Sequence, residues 1–191
     1  MLNIVIFGAP GSGKGTQSDK IIENYKLFHI STGDVLRDNL RRGTELGRIA
    51  KGFIDQGQLV PDALIIDILA QVLDENKENA REGVIFDGFP RTIPQAEALE
   101  QLLADRGTQI NAVIGLEVPE EELIKRILLR GQMSGRADDN EETARKRLEV
   151  YHRQTSPLKA YYEEQGKYRA INGVGTIDGI FDQIKDNLDS L

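Results

Sequence analysis

Residues 8–16 of this 191-residue chain read GAPGSGKGT. The apolar run NIVIF precedes this stretch and TQSDKIIENY, which has helical periodicity, follows it. A glycine-rich loop between a strand and a helix binds phosphate, because its backbone N–H groups and the helix N-terminus point at the anion. The stretch therefore predicts a strand–loop–helix unit that holds a nucleotide phosphate chain, with Lys14 beside the β- and γ-phosphates.

The loop departs from the common phosphate-binding pattern at one position. In that pattern a Ser or Thr directly follows the lysine and its hydroxyl binds magnesium. Here Gly15 follows Lys14, and the hydroxyl comes one residue later, on Thr16. The apolar stretch GVIFD ends in Asp87, a pattern that places a carboxylate beside such a loop. We expect Asp87 to hold Mg²⁺ through water while the nucleotide phosphates carry the ion; the alternative is a carboxylate that only caps the strand.

Apolar runs alternate with helix-period segments along the chain, which is typical of a parallel α/β sheet. Strands are predicted at 2–7, 27–30, 83–87, 112–118 and 168–172, and helices at about 14–25, 94–106, 119–130, 141–165 and 177–188. Residues 31–75 interrupt this alternation, because they have a helical pattern punctuated by glycines, and they predict an inserted helical segment. A smaller irregularity, GQMSGR at 131–136, separates two long helices.

Composition excludes several classes of protein. The formal charge of −7 argues against general binding to nucleic acid or to an anionic membrane surface. No apolar run approaches the roughly 18 residues that a membrane span needs, and the apolar start LNIVIF lacks the length and basic leader of a signal peptide. Cysteine is absent, so thiolate metal sites and disulfides are excluded. We therefore expect a single cytoplasmic domain.

The arginines indicate a second phosphate site. Arg91 and Arg136 lie in Gly/Pro-rich stretches, where a planar guanidinium that fits phosphate oxygens is a better explanation than a surface ion pair. Arg145 follows Glu141 by four residues, so Arg145, and likewise Arg153, is expected on a solvated helix face. A protein that only hydrolyses ATP needs one nucleotide site, whereas these arginines predict two.

Five motifs together resemble the adenylate kinases in order and spacing: GAPGSGKGT, ISTGDVLR, GQLVPD, DGFPRTIPQA and SGRADDNEETARKRL. The similarity runs from residue 3 to about residue 180, and the short gap between Arg130 and Arg136 resembles the short-lid form without zinc-binding cysteines. The resemblance implies a P-loop three-layer α/β/α fold with a five-stranded parallel sheet. It also implies two mobile subdomains, so that residues 1–30, 61–126 and 138–191 form the core, 31–60 a flap that binds the nucleoside monophosphate, and 127–137 a lid.

The resemblance also implies the site residues, position by position. The ATP site comprises the phosphate loop, an arginine that stacks on adenine, one that contacts phosphates and a carbonyl that meets adenine: Gly11, Ser12, Gly13, Lys14, Gly15, Thr16, Arg126, Arg130 and Gly175. The AMP site comprises Thr32, Arg37, Gln58, Leu59, Val60, Gly88, Phe89, Pro90, Arg91 and Gln95, together with Arg136 and Arg147, which bridge to the transferred phosphate. The catalytic set is Lys14, Arg91, Arg130, Arg136 and Arg147. Gln58 departs from the lysine that many relatives have there, and a backbone contact tolerates this change.

The resemblance implies reversible transfer of the γ-phosphoryl group of ATP to AMP, giving two ADP, by a monomer that uses Mg²⁺ with ATP and no zinc. The AMP phosphate has a second pKa near 6, so it is largely dianionic at neutral pH and no general base is needed. Accordingly, we expect His29 to pack in the core and His152 to be solvated, with no Asp–His pair near the loop. Asp138 and Asp139 either orient lid groups or cap the next helix.

Three alternatives stay open from the residues alone. Thr32 could be the N-cap of the helix that follows it, with or without a role in binding. A UMP/CMP kinase of the same superfamily typically has Ala at the position of Thr32 and Asn at that of Thr92. A switch or motor ATPase with a protein partner would need only the phosphate loop, and it leaves Arg37, Arg91 and Gln95 unexplained.

Overall fold

The computed structural model describes residues 1–56, 58, 60–134 and 140–191. The predictions for Leu59, Arg136, Asp138 and Asp139 therefore lie outside the described residues. In the described ranges the strands are β1 Leu2–Gly8, β2 Phe28–Ser31, β3 Gly83–Asp87, β4 Ala112–Glu117 and β5 Tyr168–Asn172. The helices there are α1 Lys14–Tyr25, α2 Thr32–Arg42, α3 Glu45–Asp55, α4 Asp62–Glu75, α5 Ile93–Ala104, α6 Glu120–Ser134, α7 Glu141–Glu164 and α8 Ile177–Asp189.

The strands form one parallel sheet in the order β2-β3-β1-β4-β5. Side chains of β1 alternate between its faces, as strand geometry requires. Val5 and Phe7 pack with the apolar residues of α4, α5 and α7, whereas Ile4 and Ile6 pack with those of α1 and α8. Both faces of the sheet are therefore covered, which confirms the three-layer α/β/α prediction with five parallel strands.

The strand order brings the ends of β1 and β3 together. The two strands are hydrogen-bonded neighbours, and Ile6 lies opposite Asp87. The loop after β1 and the loop after β3 therefore leave the same edge of the sheet, next to the point where the order reverses toward β4. That edge is where open parallel sheets bind ligands.

The block between β2 and β3 is helical, as predicted, and consists of α2, α3 and α4. Helices α2 and α3 approach closely at Gly47, where a Cβ atom would lie 2.2 Å from the carbonyl oxygen of Asn39. The Thr44 hydroxyl caps α3 by accepting from the Gly47 N–H at 3.0 Å. The boundaries of the mobile flap and lid stay predictions.

One local prediction is wrong, and one open alternative is excluded. Residues 131–134 continue α6 to Ser134, so this part of GQMSGR is helical; one glycine costs a helix only about 1 kcal/mol. Helix α2 begins at Thr32 with Ser31 as its N-cap, so Thr32 does not cap it. Asn140 caps α7 by accepting from the Thr143 N–H at 2.9 Å.

Over the described residues, no helix combines the length and the apolar character that crossing a membrane requires.

Candidate active site

The loop between β1 and α1 has the backbone of a phosphate-binding loop. Gly11 and Gly13 have φ angles of 85° and 87°, in the left-handed region that glycine adopts without strain. The loop turns tightly, because the Ser12 N–H donates to the carbonyl of Ala9 at 3.0 Å. A Cβ atom at Gly8 would lie 2.5 Å from the hydroxyl oxygen of Ser12 and 2.8 Å from Cβ of Lys14. Helix α1 then begins at Lys14, so its N-terminus faces the loop.

A cavity of about 970 Å³ opens over this loop. Its floor is formed by Ile6–Thr16, and its walls come from the loop after β3, from α6 and from α7. The predicted residues that line it are the whole phosphate loop, Gly88, Pro90, Arg91, Arg126, Arg130 and Arg147. Residues of four separate parts of the sequence, all predicted to bind a nucleotide, therefore share one cavity.

Asp87 lies at the end of β3 beside the loop lysine. Its Oδ1 is 2.7 Å from Nζ of Lys14, and its Oδ2 is 3.3 Å from Nε2 of His29 on β2. Burial raises the pKa of the Asp87 carboxyl, but the hydrogen bonds and charges of His29 and Lys14 outweigh it and lower the pKa to about 2. The carboxylate is therefore ionised at neutral pH. The strand-end prediction for Asp87 next to the loop agrees with this geometry.

The prediction for His29 is wrong. Its side chain is 36% exposed and hydrogen-bonded to Asp87, so it is not a core residue, and an Asp–His pair does lie near the loop. The hydrogen bond to Asp87 raises the pKa of His29, against the opposing effect of burial. His29 is paired with Ile85 in the sheet register, two residues before Asp87 on the same face. Detecting this contact from sequence would have required the strand order and the register.

Arg126 joins the phosphate loop to the segment after β5. Its guanidinium donates to the carbonyl of Gly11 at 3.3 Å and to that of Gly173 at 3.1 Å, and Glu122 accepts from its Nε at 3.1 Å. Gly175, two residues beyond Gly173, has a φ of 132°, which favours glycine. These contacts place the predicted adenine-stacking arginine between the loop and the segment with the predicted adenine-binding carbonyl.

A second group of predicted residues meets around Gly88. The Thr32 hydroxyl donates to the Gly88 carbonyl at 3.3 Å, and Nε of Arg91 donates to the same oxygen at 3.0 Å. Gln95 is tied to this group, because its Oε1 accepts from the Arg91 N–H at 2.8 Å. Phe89 is buried in the core, whereas its neighbours Gly88, Pro90 and Arg91 line the cavity.

Other predicted residues are not brought to the cavity. The predicted site residues within the described ranges that do not line it are Thr32, Arg37, Gln58, Val60, Asp87, Phe89, Gln95 and Gly175. Arg37 forms an ion pair with Asp34 on the exposed surface of α2. Arg145 and Arg153 pair with Glu141 and Glu149, which confirms the surface prediction for both.

One face of α7 was missed by the sequence reasoning. Besides Arg147, the residues of α7 that line the cavity are Lys146, Val150, Tyr151, Gln154, Thr155 and Leu158. Each of them has another member of the set three or four positions away, which is the spacing of one helix face. Extending that periodicity from Arg147 would have found them.

Arg91, Arg126, Arg130 and Arg147 on the walls surround the glycine-rich loop on the floor, and guanidinium groups fit phosphate oxygens. A fold and cavity of this kind are typical of nucleotide-binding proteins of the phosphate-binding-loop class.

Comparison with known proteins gives the particular family. The family model described as adenylate kinase matches residues 6–167. The chain is 64% identical to an adenylate kinase of Bacteroides fragilis and 63% identical to one of Bacteroides thetaiotaomicron, over the full length of both chains in each case. It is 65% identical to an adenylate kinase of Phocaeicola vulgatus over 184 residues, 96% of each chain. The chain belongs to the adenylate kinase family, which confirms the resemblance, and it is an enzyme, a nucleotide-binding kinase.

Proposed function

We propose that the chain transfers the γ-phosphoryl group of ATP reversibly to AMP, giving two ADP, inside the cavity over the phosphate loop. The observation that carries this proposal is that Arg91, Arg126, Arg130 and Arg147 line the same cavity as residues 11–16. Phosphoryl transfer spreads negative charge over the oxygens of the moving group, and arginines in a water-poor cavity stabilise it. A switch protein that only hydrolyses ATP binds one nucleotide, so its activity would not explain the additional arginines on the cavity wall.

On the ATP side, backbone N–H groups of residues 11–16 bind the phosphates, and Lys14 adds a charge near the γ-phosphate. The guanidinium of Arg126 is held by two backbone carbonyls and presents its flat face to adenine, whose edge meets the carbonyl of Gly175. Arg130 binds ATP phosphates from the cavity wall.

On the AMP side, the group around Gly88 supplies the contacts. Arg91 binds the AMP phosphate, and Gln95 binds the base. Arg37 and the backbone of residues 58–60 complete the site when the flap approaches, and Arg136 and Arg147 bridge to the transferred phosphate. These roles come from the family pattern, and the meeting of Thr32, Gly88, Arg91 and Gln95 supports them.

Catalysis in this proposal consists of positioning, charge stabilisation and exclusion of water. The dianionic AMP phosphate is already a nucleophile, so the reaction needs no general base. The Asp87–His29 pair does not change this conclusion, because Asp87 with its pKa near 2 is a poor base and is engaged by Lys14. The lid excludes water when it closes over both nucleotides.

Magnesium fits the residues at this position. Asp87 is an ionised carboxylate next to the phosphate loop, and oxygen ligands are what Mg²⁺ prefers. Asp87 would hold the ion through water when ATP brings it, and Thr16 lines the cavity in which the ATP phosphates would lie. When bound, Mg²⁺ neutralises charge on the phosphates.

Dialysis against a zinc-selective chelator, with Mg²⁺ restored, should leave activity and melting temperature unchanged, whereas a lasting loss of either would reveal a zinc site.

We further propose that the enzyme is a cytoplasmic monomer that serves adenine nucleotide homeostasis and purine salvage. In this proposal its partners are ATP, AMP and ADP, and it binds neither nucleic acid nor a membrane. The residues assigned to both nucleotides lie in one chain, so transfer needs no contribution from a second copy.

A coupled assay with ATP and each monophosphate in turn tests the proposed function. A site that reads its base by hydrogen bonds can discriminate by up to ~10⁴-fold, so kcat/KM for AMP should exceed that for CMP and UMP by at least ~10²-fold. Comparable turnover of UMP would move the chain to the UMP/CMP kinases. ATP hydrolysis that proceeds equally well without an acceptor would favour a switch ATPase.

A further inference from the structure

Gln95 is bonded to the protein through both ends of its amide. Its Oε1 accepts from the backbone N–H of Arg91 at 2.8 Å. Its Nε2 donates to Oδ1 of Asp62 at 2.8 Å. Gln95 lies in the first turn of α5, whereas Asp62 is the first residue of α4, just beyond the predicted flap. The contact therefore joins the end of the flap segment to the residue proposed to bind the AMP base.

These two partners fix which way the amide faces. A backbone N–H can only donate, and a carboxylate can only accept. If the amide of Gln95 turned over, its NH₂ group would meet the Arg91 N–H and its oxygen would meet the Asp62 carboxylate. Both hydrogen bonds would be replaced by repulsive contacts, so the observed orientation follows from the chemistry of Asp62 and Arg91.

The fixed amide has one acceptor position and one donor position left, because an amide oxygen has two lone pairs and an NH₂ group has two hydrogens. Adenine offers the complementary pair, an exocyclic amine that donates and a ring nitrogen, N1, that accepts. A 6-oxopurine offers the reverse, a carbonyl oxygen that accepts and an N1–H that donates. The orientation observed in the structure therefore matches adenine and mismatches the 6-oxopurine at both atoms.

We infer that Asp62 is a specificity-determining positioning residue, which holds the Gln95 amide in the orientation that accepts adenine and rejects 6-oxopurine monophosphates. This inference rests on the proposed function, because it takes the AMP base to meet Gln95. Without Asp62, reversing the Gln95 amide costs one hydrogen bond, the one to the Arg91 N–H. With Asp62, the same reversal also places the amide oxygen of Gln95 next to the Asp62 carboxylate. The repulsion between these oxygens strengthens when the base displaces water from the site.

The test is the ratio of kcat/KM for AMP to that for inosine monophosphate, which differs from AMP only at C6 and N1 of the base. The variant is Asp62→Asn, whose amide can donate to the oxygen of a reversed Gln95. We expect the ratio to fall at least ~10-fold, mainly through a lower KM for inosine monophosphate, since groups that mismatch a hydrogen-bonding site lose up to ~10⁴-fold. Calorimetry with each monophosphate alone should show the same change in the ratio of the two Kd values.

Asp67→Asn is the matched control, because it removes the same charge from an exposed position on the same helix. Its ratio should equal that of the wild type. An unchanged ratio in Asp62→Asn would overturn the inference, while the wild-type preference for AMP over UMP would still support the proposed function. A Gln95→Ala variant with an unchanged ratio would instead show that the base does not meet Gln95, and the inference would fall with that assignment.

Discussion

Asp87 accepts hydrogen bonds from Lys14 and His29, and the balance between burial and these two partners decides its charge. Burial alone would favour the neutral acid, but His29 and Lys14 lower the pKa from 3.8 to about 2. The stabilisation that Asp87 gives the fold is therefore present above about pH 4 and is lost as the pH falls toward about 2. His29 behaves oppositely, because its pKa is raised above 6.5.

This opposite behaviour gives a pH-dependent prediction for His29→Gln. The charge of His29 stabilises the fold fully below its unfolded pKa of 6.5, and this contribution is lost as the pH rises through the higher folded pKa. The free energy of unfolding of the wild type minus that of the variant should therefore shrink as the pH rises above 6.5. Urea unfolding of both proteins without nucleotide or Mg²⁺ measures it. The difference will be small because the ring is 36% exposed, and a difference that is constant with pH would contradict the assignment.

Alanine substitutions of Arg91 and Arg145 compare an arginine that we propose to bind phosphate with one on the protein surface. Arg91 lines the cavity, and its Nε is held by the Gly88 carbonyl, so Arg91→Ala should lower kcat at least ~10²-fold, as the loss of a transition-state arginine does. Arg145 pairs with Glu141 on an exposed helix face, so Arg145→Ala should leave kcat within about twofold of the wild type. The melting temperatures of both variants should be close to that of the wild type. Equal kinetics for the two variants would show that Arg91 does not bind the moving phosphate.

At the scale of elements, the close contact between α2 and α3 lies within the proposed AMP flap. A Cβ atom at Gly47 would lie 2.2 Å from a backbone oxygen of α2, which cannot move without separating the helices. Gly47→Ala should therefore destabilise the protein by about 1–3 kcal/mol, the usual cost of overpacking, and raise KM for AMP more than KM for ATP. Thermal unfolding and initial rates with each substrate varied in turn measure both effects.

Gly52 provides the control on the same helix. A Cβ atom there meets no other atom within 4 Å among the described residues, and alanine suits a helix better than glycine. Gly52→Ala should stabilise the protein by about 0.5–1 kcal/mol and leave both KM values unchanged. If the two alanine variants behaved alike, the close approach at Gly47 would have no energetic significance.

The elements show how far the sequence could predict the fold. Strands and helices were predicted from periodicity, since a buried parallel strand and an amphipathic helix leave different apolar patterns. The extension of α6 to Ser134 was missed, because the weak preference of Gly131 against a helix was read as a break. The phosphate loop and the Gly88 group were predictable from motifs. The contacts of His29 with Asp87 and of Gln95 with Asp62 were not, because they join distant segments through register and helix placement.

At the scale of the whole molecule, the strand order explains why one chain can serve two nucleotides. Because β1 lies between β3 and β4, the phosphate loop lies beside the Gly88 loop on one side. Helix α6, which follows β4, supplies Arg126 and Arg130 from another side. Two segments that we propose to bind phosphates thus meet over one sheet edge, where a nucleotide on each could align its phosphates with the other.

This arrangement makes a prediction about a ligand in which two adenosines are joined by five phosphates. In-line transfer requires the two phosphate chains to meet at roughly 3 Å, so the linked ligand should fill both sites of one chain. A linked ligand loses translational and rotational entropy once, whereas two separate ligands lose it twice. Linking can therefore raise the affinity ~10²–10⁴-fold. Calorimetry should therefore show one ligand per chain, bound at least ~10²-fold tighter than a non-hydrolysable ATP analogue. Limited proteolysis should show protection of residues 31–60 and 127–137, where we predict closure. Two ligands per chain, or affinity no better than that of the ATP analogue, would mean that the second nucleotide site does not share the cavity.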